Sequence, residues 1–292
     1  MSRPDAYEFP IIASVLHPSD FSDASEVAFA HALKAALIAQ SRLTLFHVSS
    51  DMQAEWSDFP GVRQMLERWG LLAEGSPRSA VGALGIDVSK MIAHERNPVS
   101  SLLRYLDTHP TDLVVLASHR LDDGTHWLRK SVSEPVARKG GQATLFVPHG
   151  VEGFVSRRDG AVSLQRILIP VAITPKAQPA VGAAARLVSR LSRPSGTFTL
   201  LYVGANGDMP AVHRPNVSGW QWDSVTKGGD VVDTILDTAR TTNADLIVMT
   251  TNGRNGFLDA FRGSHSERIL RRSPCPLLVI PETALLKEHL KE

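Results

Sequence analysis

Short apolar runs alternate with longer segments whose apolar residues return every three to four positions, and this order occurs twice in the chain. Residues 11–17, 43–48, 113–117 and 144–147 are runs rich in Val, Ile and Leu, the pattern of strands buried on both faces. Between them, residues 22–40 are Ala-rich and helical, with Ser22 or Asp23 placed as the cap. Residues 98–108 form a helix with Pro98 near its start, where proline is tolerated. Residues 131–139 open with the capping box Ser131 and Glu134. The second half repeats the scheme: strands at 167–171, 198–203, 246–250 and 277–280, and helices at 180–191, 231–241 and 264–272. Strands alternating with helices predict an α/β fold with a parallel sheet covered on both faces.

The repetition extends to the residues. Asp112-Leu113-Val114-Val115-Leu116 matches Asp245-Leu246-Ile247-Val248-Met249, Ser131 to Glu134 matches Ser264 to Glu267, and Leu145 to Pro148 matches Leu278 to Pro281, all at an offset of 133. Upstream, Val15 to Pro18 matches Ile167 to Pro170 at an offset of 152, so the first copy is longer by 19 residues, inserted between its second and third strands. Internal repeats of this kind decide domain organisation before anything else. The expected division is a first domain over residues 1–149, a glycine-containing linker over 150–165 and a second domain over 166–292. In the inserted stretch Val62, Met65, Leu66 and Trp69 share one helical face; a helix covering its own sheet is favoured over one that binds a partner.

Composition narrows the function classes. The chain has 292 residues, and 31 Lys and Arg against 30 Asp and Glu leave a net charge of +1. That balance gives no reason to expect a nucleic-acid partner, which draws a basic stripe. Cys275 is the single cysteine, so neither a disulfide framework nor a cysteine-built zinc site is expected. No apolar run reaches the roughly 18 residues of a membrane helix, and residues 1–10 lack a signal-peptide pattern. The expectation is a cytoplasmic protein with no membrane partner.

In doubly wound sheets ligands bind beyond the carboxyl ends of the strands, where the strand order reverses. After the strand at 246–250 comes Thr250-Thr251-Asn252-Gly253, then Arg262-Gly263-Ser264 at a helix start. Such a loop brings backbone N–H groups to a phosphate, helped by the helix dipole. It is neither a Walker loop nor the GxGxxG dinucleotide pattern.

With these residues the chain resembles the universal stress proteins in their tandem two-domain form, over nearly its whole length. The resemblance rests on Asp245 to Met249, Gly253, Gly263-Ser264 and Ser273-Pro274-Cys275-Pro276-Leu277-Leu278-Val279-Ile280, and on Pro18-Ser19-Asp20-Phe21-Ser22. It implies two Rossmann-like domains of the adenine nucleotide alpha hydrolase type, each a five-stranded parallel sheet between helices. ATP-binding members hold the nucleotide with an Asp after the first strand, the backbone of a Val ending the second, and a G-x2-G-x9-G-[ST] loop. Pairing of last strands is common in the family, which implies an intramolecular pairing of residues 144–147 with 277–280; homodimerisation of whole chains stays open.

Carried over position by position, each half keeps a different part. The second half offers Pro170, Val203, Met249, Thr250, Gly253, Gly263, Ser264 and His265 as the candidate site for ATP or AMP, with or without magnesium; Thr250 replaces the first loop glycine and Ala172 the aspartate. If the family glycine has positive φ, a β-branched residue suits it poorly. The first half keeps Asp20 and Val48 but has Ala117, Arg120 and Lys130 in place of the three glycines. Arg120 and Lys130 block a phosphate, mimic its charge partner, or bind a bare anion. Bland readings stand beside these: Ser131 with Glu134 and Ser264 with Glu267 as helix caps, Asp20 as a turn residue, His17 and His47 as packed strand ends, His119, Asp122, Asp123 and His126 as solvated surface, and Cys275 as an inert thiol. No nucleophile–base pair is evident, so no enzyme is expected. Two functions remain: a stress-response protein that binds nucleotide in its second domain, or a regulatory or scaffolding protein with both pockets vestigial.

Overall fold

The computed structural model describes residues 12–49, 57, 59–118, 142–191, 195–204, 209–251 and 265–282. Contacts divide the chain into two units, one comprising Ile11–Gly140 and Thr144–Ser163, the other chiefly Leu164–Glu292.

The first unit is built on strands β1 (Ser14–Pro18), β2 (Arg42–Ser49), β3 (Asp87–His94), β4 (Leu113–Ser118) and β5 (Ala143–Pro148) in the order β3-β2-β1-β4-β5. The β1·β2, β2·β3 and β1·β4 ladders are parallel. Every residue of β4 is buried, as expected of a central strand covered on both faces, and so is every residue of β5. Helix α1 (Asp23–Ala39) packs on this sheet through Ala28, Phe29, Ala32, Leu33 and Ala36. Its alanines let the helix approach closely at little entropic cost. Of the two expected caps, Ser22 is the one used, and its side chain accepts from the Ser25 N–H. At the other end Gln40 takes the left-handed conformation, with φ 50°.

Three shorter helices follow: α2 (Val62–Arg68), α3 (Ser79–Gly82) and α4 (Pro98–Thr108). Pro98 lies in the first turn of α4, where Asn97 caps by accepting from Ser100 N–H. The helical face expected in the insertion is present, with Val62, Met65, Leu66 and Trp69 all buried. Part of what covers it is the segment 150–163. That stretch, expected as a linker, is packed structure belonging to the first unit. A bridge joins Val155 to Val162, the Trp69 indole donates to the Arg157 carbonyl, and Gly160 lies so close that a Cβ there would sit 2.5 Å from the Trp69 ring.

The second unit repeats the scheme with β6 (Arg166–Val171), β7 (Gly196–Val203), β8 (Trp220–Lys227), β9 (Leu246–Thr251) and β10 (Leu277–Pro281), ordered β10-β9-β6-β7-β8 and parallel throughout. Helices α5 (Gln178–Ser189), α6 (Val231–Thr241) and α7 (His265–Arg272) complete it. Asp230 caps α6, and α6 and α7 are tied by ion pairs of Arg268 with Asp230 and of Arg272 with Asp233. Each unit is therefore a doubly wound α/β sheet.

The edge strands β3 and β8 carry no apolar run, and sequence pattern does not locate them. Among the described residues, no helix is long and apolar enough to cross a membrane.

Candidate functional site

In both units the strand order reverses between the first and fourth strands, the point at which doubly wound sheets open a crevice. Only two residue pairs join these strands: Val15 with Leu113 and Leu16 with Val114 in one unit, Ile167 with Leu246 and Leu168 with Ile247 in the other. Beyond these pairs the ladder between the two strands ends, and in the first unit the His17 side chain bonds the Val115 carbonyl.

In the first unit aromatic side chains crowd this end of the sheet. Phe21, just after β1, takes a left-handed conformation with φ 62°, a conformation that costs a non-glycine residue about 1–3 kcal/mol. It lays its ring on His47 with centroids 4.0 Å apart, and meets Phe59 edge-on at 5.3 Å. His47 Nδ1 donates to the Ser19 carbonyl at 2.7 Å. The carboxylate of Asp20 turns back on its own loop, accepting from the Ser22 N–H at 3.1 Å and the Ser22 hydroxyl at 2.6 Å. This is the turn role, reached through the helix cap Ser22. Val48 is buried at the end of β2 and pairs with Ala93. The cavity bounded by Ser19, Phe21, Ser22, Asp23, Glu26 and Pro60 measures about 160 Å³, well below the roughly 300–1,000 Å³ of a cofactor pocket.

The second unit places its candidate residues on adjacent strands. Pro170 is half-buried near the end of β6, Val203 ends β7 opposite Lys227, and Met249 and Thr250 lie near the end of β9. Thr250 is buried, sits in regular strand and has no positive φ, so the backbone conflict considered for it does not arise. Its hydroxyl accepts from the Ala180 N–H at 3.3 Å. Helix α5 begins after Ala177, which has no side chain to cap it; Thr250 satisfies one of its orphan donors from across the unit. Ala172 and Ile173 follow β6 and are exposed, Ile173 by 73%. Gly253, Gly263 and Ser264 lie outside the described residues, as do the His265 side chain, Arg120, Lys130, Ser131, Glu134, and the group His119, Asp122, Asp123 and His126. Among the described residues, no His, Cys, Asp and Glu cluster could hold a metal.

Three groups singled out by sequence prove structural. Asp112 and Asp245, the matched residues that open each repeated strand, reach back to the start of the first strand. Asp112 Oδ2 accepts from the N–H groups of Ala13 and Ser14 and from the Ser14 hydroxyl, each at 2.9 Å. Asp245 Oδ2 accepts from Gln165 and Arg166 N–H at 2.9 and 2.8 Å, and its Oδ1 pairs with the Arg166 guanidinium at 3.0 Å. Both carboxylates fasten the amino ends of two strands, opposite the crevice. Cys275 is buried, and burial pushes its thiol up to about 12, leaving it protonated and unreactive.

Two histidines are kept neutral inside the first unit, and only His17 stands out from sequence. His17 is buried within β1; its Nδ1–H donates to the Val115 carbonyl at 2.9 Å while Nε2 has no hydrogen-bond partner. His31 in α1 donates from Nδ1 to the Val27 carbonyl, which makes Nε2 the acceptor for the Phe154 and Val155 N–H groups at 3.1 and 3.3 Å. Burial lowers both from 6.5 to about 4.

The Universal stress protein family profile matches residues 13–148 and 215–281. A search of curated proteins finds no match. Among solved structures, a universal stress protein from Archaeoglobus fulgidus is similar at 19% identity and a TM-score of 0.60, over 92% of this chain and 98% of that one. A functionally unknown protein from Pseudomonas aeruginosa aligns at 13% identity and a TM-score of 0.58, over 94% and 95%. At these identities the structural likeness speaks for the fold. The family match spans well over half the sequence and both repeated copies, and the chain belongs to the universal stress protein family.

Proposed function

We propose that this protein is a nucleotide-responsive stress protein that takes ATP or AMP, with or without magnesium, in its second unit alone, and that it is not an enzyme. The observation that carries this reading is the contrast between two equivalent crevices. In the first unit Phe21, His47 and Phe59 pack together at the carboxyl ends of β1 and β2. In the second unit the corresponding walls carry Pro170, Val203, Met249 and Thr250. The sequence supplies Gly253, Gly263 and Ser264 to follow them, in the spacing that resembles the family's phosphate loop. In this reading the two copies pair within one chain, as the resemblance implies, and light scattering decides whether whole chains associate further.

A ligand that binds only the native state raises its stability by mass action, by about 2.7 kcal/mol at a hundredfold excess over Kd. Melting with and without millimolar ATP and magnesium therefore tests the reading. A rise in melting temperature that Gly263→Arg removes is the expected result; no rise, with no heat in calorimetry, overturns it.

Two observations favour a second reading, a regulatory or scaffolding protein with both pockets vestigial. Thr250 commits its hydroxyl to Ala180, and no carboxylate stands at Ala172. This reading expects no nucleotide to be released when freshly purified protein is denatured, and expects Gly263→Arg to leave cellular function intact.

A further inference from the structure

Residues 154–163 of the first unit form a strap that bonds chiefly to itself. Val155 bridges Val162, the Ser163 N–H donates to the Phe154 carbonyl, the Ser156 N–H to the Ala161 carbonyl and the Gly160 N–H to the Ser156 carbonyl, the last three each at 2.9 Å. Its attachments to the helices are few. The Phe154 and Val155 N–H groups donate to one atom, His31 Nε2 on α1, at 3.1 and 3.3 Å. The Phe154 ring meets the imidazole edge-on with centroids 4.8 Å apart. Trp69, after α2, donates its indole N–H to the Arg157 carbonyl at 3.2 Å. The strap can therefore leave α1 and α2 with its internal bonds intact.

The His31 attachment exists in one protonation state. A backbone N–H only donates, so Nε2 carries no proton, and Nδ1–H donates to the Val27 carbonyl at 2.9 Å. A charged imidazole is a donor at both nitrogens. It would set a third N–H against those of Phe154 and Val155 in a buried site, with no acceptor for any of them. Opening the strap admits water to all three. Burial accordingly lowers the His31 pKa from 6.5 to about 4, and the Val27 bond opposes this.

The charged groups at this junction engage one another instead. Glu26 of α1 faces Arg157 of the strap at 3.4 Å and Arg68 of α2 at 3.9 Å. Arg63 faces Glu67 within α2 at 3.6 Å, and Arg158 faces Asp159 within the strap at 3.7 Å. Lys34 of α1 stands 5.3 Å from the Trp69 ring centroid, and Asp159 opposes the burial that lowers its pKa. Beneath α1, β4 has no ionisable residue, and His17 of β1 bonds the Val115 carbonyl.

We propose that His31 is an acid-operated latch: taking up one proton releases residues 154–163 from α1 and α2, baring Phe154, Val155 and Trp69, while the sheet beneath stays folded. The device lies within the first unit and does not depend on nucleotide in the second.

Hydrogen exchange of the full-length protein, followed peptide by peptide and corrected for the intrinsic effect of pH, tests it. One proton per opening means that protection of Phe154 and Val155 falls about tenfold per pH unit between about 6.5 and 5, where ordinary carboxylates stay ionised. Peptides of β4 should remain more protected throughout. His31→Gln keeps an acceptor and does not titrate, so strap protection in that variant should be level over this window. His31→Leu has no acceptor, so its strap should be open at neutral pH and cut by trypsin after Arg157 or Arg158 faster than in wild type. The wild-type slope decides the matter should a variant fail to fold. Level strap protection in wild type across the window overturns the proposal. So does equal protection of strap and β4 at every pH, which would mean that the strap opens only when the whole unit unfolds. A wild-type slope in folded His31→Gln overturns it as well.

Discussion

The hydroxyl of Thr250 accepts a hydrogen bond from the backbone N–H of Ala180, 3.3 Å away and 70 residues earlier in the chain. It does for α5 what Ser22 does for α1, where the cap lies in the adjoining turn. Helix α5 has no such residue next to it, since Ala177 stands at the cap. Thr250→Val preserves shape and removes the acceptor, and should cost about 1 kcal/mol of stability in urea unfolding. Thr250→Ser should retain most of it. Equal stability of wild type and Thr250→Val would show that the contact contributes nothing.

The carboxylates of Asp112 and Asp245 hold equivalent places at the amino ends of β4 and β9, each bonded to two backbone N–H groups of the strand beside it. Hydrogen bonds to a charged group contribute about 1.5–3 kcal/mol each when buried; partial exposure reduces this. Asp112→Ala and Asp245→Ala should each destabilise the protein by about 2 kcal/mol. Because these staples lie at the end of the sheet opposite the crevice, neither substitution should alter ligand affinity in folded protein. A loss of affinity from Asp245→Ala without loss of stability would contradict the assignment.

Acid should weaken the first unit. His17 and His31 titrate near 4 when folded and near 6.5 when unfolded, both lowered by burial. Between those values the unfolded chain binds more protons than the native one, so stability falls as pH drops from about 6.5 towards 4. Each histidine accounts for about 3 kcal/mol over the full window. His31→Gln keeps an acceptor for the Phe154 and Val155 N–H groups and does not titrate. It should flatten the stability slope between pH 6.5 and 4 by about half. A slope identical to wild type would mean that His31 is not a source of the acid sensitivity.

How much of this is legible in the sequence depends on burial. Central strands such as β4 and β9 are apolar throughout and announce themselves, and the repeat sets their correspondence. Edge strands do not. In β3 the residues alternate between partly buried and exposed, with Lys90 among those facing inward, so no run forms. The aromatic cluster is hidden for another reason: Phe21, His47 and Phe59 come from three separate segments, and Phe21 reaches the others through a backbone conformation that phenylalanine rarely takes. The segment 150–163 reads as a polar, glycine-bearing connector, yet two of its N–H groups are held by His31 and one of its carbonyls by Trp69. Those partners lie far away in sequence, and composition alone carries no trace of them.

Comparison of the two copies supplies the last prediction. Asp20 and Ala172 occupy matched positions after the first strand of each unit, and their neighbours behave differently. After Asp20, Phe21 packs on His47 and Ser22 engages the carboxylate. After Ala172, Ile173 and Thr174 are exposed and fold back on nothing comparable. An aspartate introduced by Ala172→Asp would therefore stand on an exposed segment just after β6, where Thr174 takes the place of the helix cap Ser22. If the second unit takes nucleotide in the way the family resemblance implies, this carboxylate supplies the missing acceptor for a ribose hydroxyl. A charged hydrogen bond of about 1.5–3 kcal/mol corresponds to an affinity gain of about tenfold to a hundredfold. Calorimetric titration of wild type and Ala172→Asp with ATP measures it, and the exposed position should leave the melting temperature of the free protein near its starting value. Unchanged affinity in a variant of unchanged stability would separate this crevice from the family's mode of binding.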